Sequence, residues 1–481
     1  MNPISFPARG HTRASIFDAM RAARARDVKW QAGRVFSLVF DAGDDVRAVA
    51  QQAYELFFAE NGLNPTAFPS LRKFETEVVA MVAALLGGDD AIVGNMTSGG
   101  TESILMAVKA ARDYARKIHP EIKMPEMILP VTAHPAFDKA AHYFDVKVTR
   151  TAITAEFRAD VNATRAALTP NTILLVGSAP QYAHGVVDPI RELAQLAQEK
   201  NILLHVDACV GGMALPFARQ LGYAIPDFDF TVPGVTSLSV DLHKYGYAAK
   251  GASVILYRSR ALRRAMMYVT TEWAGGIYAS PTMLGTRPGG AIAAAWAVLN
   301  YLGADGYLNL MNVVMKTVEL LRAGIAQIGD VKILGNPDMS VLALASDTLD
   351  IYQIGDELSA RGWHLDRQSF PPSLHLTVHY AHAASAENFL DDLQDAVAAA
   401  KKMSARKFFD RALVNAANGA ARILPAAWLS KLTRGASSAL TGGAAGGGRS
   451  AAMYGMLGTL PNRGDLHELM LDLVEDFTAP Q

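Results

Sequence analysis

The sequence predicts an α/β fold: a large unit on a mainly parallel sheet, followed by a smaller α+β unit. Three observations predict it. Between residues 70 and 300, short apolar runs alternate with amphipathic helical stretches, the pattern of strands joined by crossover helices. Several of these runs end in polar residues, as strands do where an open sheet presents a site. After about residue 305 the texture changes to two helical stretches around two strand-like ones.

Taken in order, residues 1–70 read as an N-terminal arm and charged helix, with no apolar core region of the kind a signal peptide carries. The large unit is expected over 71–305. "LRKFETEVVAMVAALLG" is an amphipathic helix stopped by Gly87 and Gly88. "AIVGNMT" is strand-like, and "ESILMAVKAARDYARKI" is helical by its three-to-four apolar spacing. "EMILPVT", "TILLVGSA", "ILLHVDA", "SLSV" and "ASVILYRS" are short β-rich runs bounded by turn residues, and imply a sheet buried on both faces. The smaller unit is expected over 306–481. There "LMNVVMKTVELLRAGIAQIG" and "AENFLDDLQDAVAAAKKM" are helices, and "VKILGNPDMSVLALAS" and "SLHLTVHYAH" strands. Residues 434–450, "RGASSALTGGAAGGGRS", read as a flexible Gly/Ala-rich insert.

Composition narrows the function. The 481 residues are half hydrophobic and carry a formal net charge of −1, so no global field attracts nucleic acid or an anionic membrane. One cysteine, Cys209, excludes a disulfide framework or a multi-thiolate centre and fits a reducing compartment. No apolar run reaches the roughly 18 residues of a membrane span. The expectation is a soluble, cytoplasmic protein. The helical stretch 405–432 mixes Phe, Leu, Ile and Trp with cations; packing on the small unit is the plain reading, and peripheral membrane contact the sharper one.

The chemistry lies at strand ends. "NMTSGGTES", residues 95–103, joins a strand to a helix. Ser98, Gly99, Gly100 and Thr101 there offer a bare backbone, hydroxyls and a helix N-terminus, a place for a phosphate. Alone it is equally an ordinary glycine turn. Asp207 closes the run "ILLHVD", where a carboxylate needs a partner: a backbone amide, an arginine, or a protonated ring nitrogen of a cofactor. Lys244 follows "SLSVDLH", with Asp241 and His243 beside it and Lys250 six residues on. It is either a loop lysine paired to Asp241 or an amine whose burial depresses its pKa and frees it for covalent chemistry. His134, just after "EMILPV", can stack on a flat ring. A phosphate cradle, an acid at one strand end and a lysine at another together meet the needs of pyridoxal 5'-phosphate.

The chain resembles the sphingosine-1-phosphate lyases, of the pyridoxal-phosphate group II decarboxylase-like, fold type I family. "TSGGTESI", "TAHPAFDKAAHYF", "VGSAPQYAHGVVDPI", "HVDACVGG", "DLHKYGYAAKG", "GGIYASPTMLGTRPGG" and "LDIYQIGDELSARGW" carry the likeness from about residue 30 to 395, and "AAMYGMLGTLPNR" resumes it. The resemblance implies a fold type I enzyme with a seven-stranded-type sheet in its large domain. It implies Lys244 as the Schiff-base lysine, Asp207 as the pyridinium partner and His134 as the stacking residue. Gly100 and Thr101 then lie at the cofactor phosphate, with His243 nearby. It implies a homodimer with shared active sites, Gly285 and Thr286 lying on a loop supplied to the partner. Lys250 matches the lysine for the substrate phosphate, and Tyr182 a tyrosine near the reacting centre. The implied reaction is retro-aldol cleavage of a phosphorylated long-chain amino alcohol to an aldehyde and phosphoethanolamine.

Two positions depart from that pattern: Phe40 stands where the family carries a tyrosine and Asn64 where it carries a histidine. In the family both groups help hold the substrate phosphate or act beside it. Their loss removes a hydroxyl and a cation, and with them several kcal/mol of phosphate recognition. The expectation is an intact cofactor site beside an altered substrate site. An amino-acid decarboxylase on the same fold and a catalytically silent binding protein are the competing readings. Cys209 reads as a packed thiol. His375, His379 and His382 lie close in sequence, with only the first two on one strand face, and are not expected to bind metal. Arg287 is either structural or a contact for a substrate anion.

Overall fold

A computed structural model describes residues 5–402 together with residues 467, 471, 474 and 475. The helical stretch 405–432, the insert 434–450 and the segment "AAMYGMLGTLPNR" lie outside the described residues.

The N-terminal arm runs into α1 (Arg13–Arg24), α2 (Asp44–Leu56) and α3 (Pro69–Leu85). An alternation follows: β1 (Val93–Thr97), α4 (Gly100–Ile118), β2 (Glu126–Pro130), α5 (Ala136–Phe144), β3 (Lys147–Thr151), α6 (Val161–Ala166), β4 (Thr172–Ser178), α7 (Ile190–Lys200), β5 (Leu203–Asp207), α8 (Leu215–Gln220), β6 (Ser237–Val240), β7 (Ser253–Tyr257) and α9 (Arg260–Met266). A hairpin of β8 (Tyr268–Trp273) and β9 (Gly276–Ser280) leads to the long α10 (Gly289–Gln327). The remainder is β10 (Lys332–Ile333), β11 (Val341–Ala345), α11 (Ile351–Ala360), β12 (Asp366–Ser369), β13 (Pro372–Thr377) and α12 (Ala386–Lys401).

The large sheet has seven strands in the order β1-β7-β6-β5-β4-β2-β3, all parallel to their neighbours except β7, which is antiparallel to both β1 and β6. Both faces are covered because alternate strand residues are apolar. Val254 and Leu256 of β7 join one core with residues of α3, α7 and α10; Ile255 and Tyr257 join the opposite core with residues of α4, α5 and α9. A side-chain period of two thus becomes a three-layer sandwich. The sequence pattern does not mark β3, because "KVTRT" is an edge strand with exposed Lys147 and Arg150, the usual protection of a sheet edge.

The second sheet, β10-β11-β13-β12, is antiparallel and packs with α11, α12 and the end of α10 around a third core. Phe36 from the N-terminal arm belongs to this core, stacked on His382 at 4.2 Å. The arm therefore wraps onto the second sheet; Phe36 N donates to His364 O at 3.0 Å and Thr377 N to Phe36 O at 2.8 Å. Residues 305–306, where the sequence texture changes, lie inside α10, just past a break at Gly303 (φ 56°). A left-handed φ of this kind suits glycine.

The three histidines of "HLTVHYAH" separate differently from a strand alternation. β13 ends at Thr377, and a single 3-10 turn over Tyr380–Ala384 brings His382 back against His379, ring centroids 4.1 Å apart. His375 instead turns to Tyr182. The expectation that His375 and His379 share a face apart from His382 fails because the strand stops between them.

Candidate active site

β4, β5 and β6 end side by side, with Ser178 opposite Asp207 and Asp207 opposite Ser239. Asp207 is buried. Its Oδ1 accepts from Cys209 N at 3.1 Å and Ser239 Oγ at 3.3 Å. Its Oδ2 accepts no hydrogen bond among the described residues. Cys209 is a buried thiol that donates to Ser239 Oγ at 3.3 Å, and burial, then the carboxylates of Asp207 and Asp241, push its pKa up. It is packing, as its sequence setting suggests.

The chain leaves β6 at Val240 and turns at once. Lys244 Nζ lies 2.9 Å from Asp241 Oδ2, three residues back. Burial is the largest single influence and disfavours the ammonium, but Asp241 first, with Cys209 and Asp207 behind it, together overcome burial and raise the Lys244 pKa above its ordinary value. Of the two readings of Lys244, the structure shows the pairing with Asp241, and the expectation that burial depresses this pKa is corrected: the charges around the amine overcome burial. For Asp241, desolvation is likewise overcome, by Lys244 first and then His243, and its pKa is lowered. The loop is held from both units. Tyr245 Oη donates to Val378 O at 2.7 Å and pairs with Ser340, while Tyr307 Oη of α10 donates to Gly246 O at 2.8 Å.

α4 begins directly above this ion pair. A Cβ on Gly100 would stand 2.7 Å from Cys209 Sγ and 2.9 Å from both Asp241 oxygens, so only glycine admits the approach. Ser103 N donates to Gly99 O, the first amide paired within the helix. The amides of Gly100, Thr101 and Glu102 have no intrahelical partner, and Ser98 N donates to Glu102 Oε2 at 2.6 Å. His134, between β2 and α5, accepts from Ala136 N through Nδ1 at 3.1 Å. Desolvation chiefly, with Lys244 adding to it, lowers its pKa against the pull of Asp207 and Asp241. It presents a neutral ring near those three groups. His243 is half-buried, its Nε2 3.8 Å from Asp241 Oδ2.

The residues present fit pyridoxal phosphate. Two buried polar atoms here, Asp241 Oδ1 and His243 Nδ1, have no hydrogen-bond partner. Beside them lie Asp207 Oδ2, the open amides of α4, the bare backbone of Gly99 and Gly100, and an amine. Unsatisfied buried groups are rare without a ligand or water to take them.

The flanking positions fall differently. Lys250 donates to His243 O at 3.4 Å and its Nζ lies 5.6 Å from the centroid of the Phe40 ring. Phe40 also meets Tyr245 edge-on at 4.9 Å and His379 at 5.6 Å. Desolvation in the cleft, then the charge of Lys244, lowers the Lys250 pKa to about 8. Asn64 is exposed and spends its Oδ1 on its own turn, accepting from Thr66 N, Thr66 Oγ1 and Ala67 N at 3.0, 2.7 and 3.1 Å. Arg287 is structural: it clamps Glu75 through both guanidinium nitrogens at 2.8 and 2.6 Å and donates to Met96 O. Gly285 and Thr286 sit after the β8–β9 hairpin, where Asn61 Nδ2 donates to Thr286 Oγ1 at 3.4 Å. Tyr182 stacks on His375 at 3.9 Å and donates to Asp366 Oδ2 at 2.9 Å. Sequence reasoning does not single out Asp366 or Ser239; the only signal is a polar residue at the start or end of a strand.

Residues 1–345 match the family described as pyridoxal-dependent decarboxylase conserved domain. The chain is 42% identical over 468 residues to the sphingosine-1-phosphate lyase of Oryza sativa subsp. japonica, covering 96% of this chain and 79% of that protein. It is similar to the solved structure of the sphingosine-1-phosphate lyase of Burkholderia pseudomallei, at 40% identity and a TM-score of 0.80, covering 85% of this chain and 96% of the other. The glutamate decarboxylase of Lactobacillus brevis shares the fold at 17% identity, with a TM-score of 0.74, covering 84% and 96%. The chain belongs to the pyridoxal-dependent decarboxylase family, fold type I, and within it to the sphingosine-1-phosphate lyases.

Proposed function

We propose that this chain is a pyridoxal-phosphate-dependent carbon–carbon lyase that splits a phosphorylated long-chain amino alcohol into an aldehyde and phosphoethanolamine. The observation that carries the reading is the meeting of Lys244, Asp207 and His134 beneath the N-terminus of α4, in a chain of this family. Bound pyridoxal phosphate supplies an aldehyde for amine condensation and a ring that takes up the electron pair of the broken bond.

The protein's own residues do the rest. Lys244 would hold the cofactor aldehyde, giving up to Asp241 and its surroundings the proton it now carries. Asp207 would keep a proton on the ring nitrogen, for which its Oδ2 is free. His134, neutral and flat, would lie along the ring. Gly100 and Thr101 would receive the cofactor phosphate on open amides, with Ser98, Gly99 and His243 alongside.

The substrate phosphate falls mainly to Lys250. Phe40 offers it a ring face in place of a hydroxyl, and Asn64 is committed to its turn. A cation over an aromatic face is held by about 0.5–2 kcal/mol, which steadies Lys250 without competing for its hydrogen-bond donors.

A homodimer is part of the proposal. The β8–β9 hairpin exposes Tyr268, Val269, Trp273 and Ile277, and Met283 and Leu284 extend the patch to Gly285 and Thr286. Apolar area of this kind on a two-stranded ribbon suits burial against a second copy, which would bring Gly285 and Thr286 to that copy's site. No helix among the described residues is long and apolar enough to cross a membrane. A cytoplasmic location is inferred with the single buried thiol in support.

Three outcomes are expected. Cofactor-loaded protein given dihydrosphingosine-1-phosphate should release long-chain aldehyde; carbon dioxide from glutamate or aspartate without any aldehyde would overturn the lyase reading. Lys250 is cationic below about pH 8 and loses its charge above it. KM for the phosphorylated substrate should therefore climb roughly tenfold between pH 7 and 9.5, and this climb should vanish in Lys250→Met. A climb that persists in the variant assigns the titration elsewhere. Light scattering on a sizing column should give twice the chain mass, and Trp273→Asp with Ile277→Asp should halve it; an unchanged dimer would remove the hairpin from the interface.

A further inference from the structure

Tyr182 is gripped at both ends by one face of the small sheet. Asp366 on β12 and His375 on β13 are cross-strand partners, so their side chains share a face. His375 stacks on the Tyr182 ring, centroids 3.9 Å apart and planes within 17°. Asp366 Oδ2 accepts the phenol proton at 2.9 Å. His375 is fully buried and locked in turn: its Nε2 meets Thr377 Oγ1 at 2.6 Å, and its Nδ1 meets Gln368 Nε2 at 3.3 Å. Gln368 also donates to Ala183 O at 2.8 Å, next to the tyrosine in the chain. Three side chains of the small sheet, Asp366, His375 and Gln368, thus converge on one short turn of the large unit.

A tyrosine held this firmly for structure alone would be buried. Tyr182 is 38% exposed. It follows the carboxyl end of β4, on the sheet edge that carries Asp207 and the Lys244 turn: Ala179 N donates to Asp207 O at 2.8 Å, three residues before the tyrosine. A phenol that donates to a carboxylate keeps its oxygen lone pairs for another donor. In the cleft, that donor is the hydroxyl of the substrate. Behind the carboxylate stands His364, whose Nε2 is 3.7 Å from Asp366 Oδ1 and which reaches solvent.

We propose that Tyr182 and Asp366 form a two-step proton relay for the cleavage, with His364 as its solvent-side neighbour. The inference rests on the lyase reading above. The substrate hydroxyl gives its proton to Tyr182 Oη as Tyr182 passes its own to Asp366 Oδ2. The O–H pair becomes the second bond of the aldehyde carbonyl, and the pair of the broken carbon–carbon bond stays with the amine-bearing fragment. One proton enters the relay and one reaches Asp366, so the balance closes without an added co-reactant. Asp366 is a positioning and accepting residue that acts through Tyr182. Burial and the adjacent Asp366 carboxylate both hold the Tyr182 pKa far above its ordinary value. A free tyrosinate is therefore unavailable as base, and the proton must be handed on in concert.

The test uses the cofactor-loaded full chain and an aldehyde readout. Asp366→Asn keeps the size and a hydrogen-bonding oxygen but cannot take a proton. It should lower kcat by about 10²-fold, within the range of general base catalysis, with KM changed less than threefold. Tyr182→Phe should fall to a similar level, and the double variant no lower than the worse single, because both remove one path. Asp366→Glu should recover part of the loss. Cofactor absorbance and melting temperature, unchanged in Asp366→Asn, separate lost chemistry from lost structure. An Asp366→Asn enzyme with wild-type kcat, or losses that multiply in the double variant, would overturn the relay and leave the lyase reading standing. A wild type that makes no aldehyde would remove both.

Discussion

The ion pair between Lys244 and Asp241 is the constraint on which the rest of the site depends. Two charges taken from water at a strand end are costly, and their attraction offsets the cost only where geometry and surroundings are fixed. The protein fixes them. Asp241 is buried beneath the N-terminus of α4, where the helix dipole favours an anion. Lys244 is held three residues on by a turn pinned from α10 and from the small sheet. Gly100 is required because any side chain there would collide with the carboxylate. Lys244 is thereby held against Asp241 at 2.9 Å.

The same pinning explains why two units are needed. The large sheet brings Asp207, His134 and the lysine turn together at strand ends, an outcome of parallel topology. It does not close the site. Closure comes from the second sheet, whose Ser340 and Val378 hold Tyr245, and whose Asp366 and His375 hold Tyr182. The N-terminal arm adds Phe36 to the core behind that sheet and Phe40 to its cleft side. Tyr182 and the lysine turn are thus both fixed from the same side.

Much of this was legible in the sequence where a local rule applies. β1, β2 and β4 to β7 follow from short apolar runs between turn signals, and α3 and α4 from their spacing and glycine boundaries. Lys244, Asp207 and His134 stand out because polar residues at the ends of buried strands are costly without a purpose. The edge strand β3 was hidden by its own polarity. For Lys244 the sequence left two alternatives, pairing with Asp241 or a pKa lowered by burial, and the structure shows the pairing, with the pKa raised. Asp366 was invisible: a single acid at the start of a half-buried polar strand has no local signature, and its partner lies 184 positions away. Phe40 and Asn64 were legible as departures. Their consequences, a ring under Lys250 and a self-contained turn, needed the structure.

The central claim is that one amine, Lys244, is set by its carboxylate and its strand end to bond an aldehyde cofactor. Borohydride reduction of the cofactor-loaded protein, followed by peptide mapping, tests it most directly. The account predicts a single reduced label on the peptide containing Lys244, and none in Lys244→Ala. A label on Lys250 or any other lysine, or none in the wild type, would contradict it.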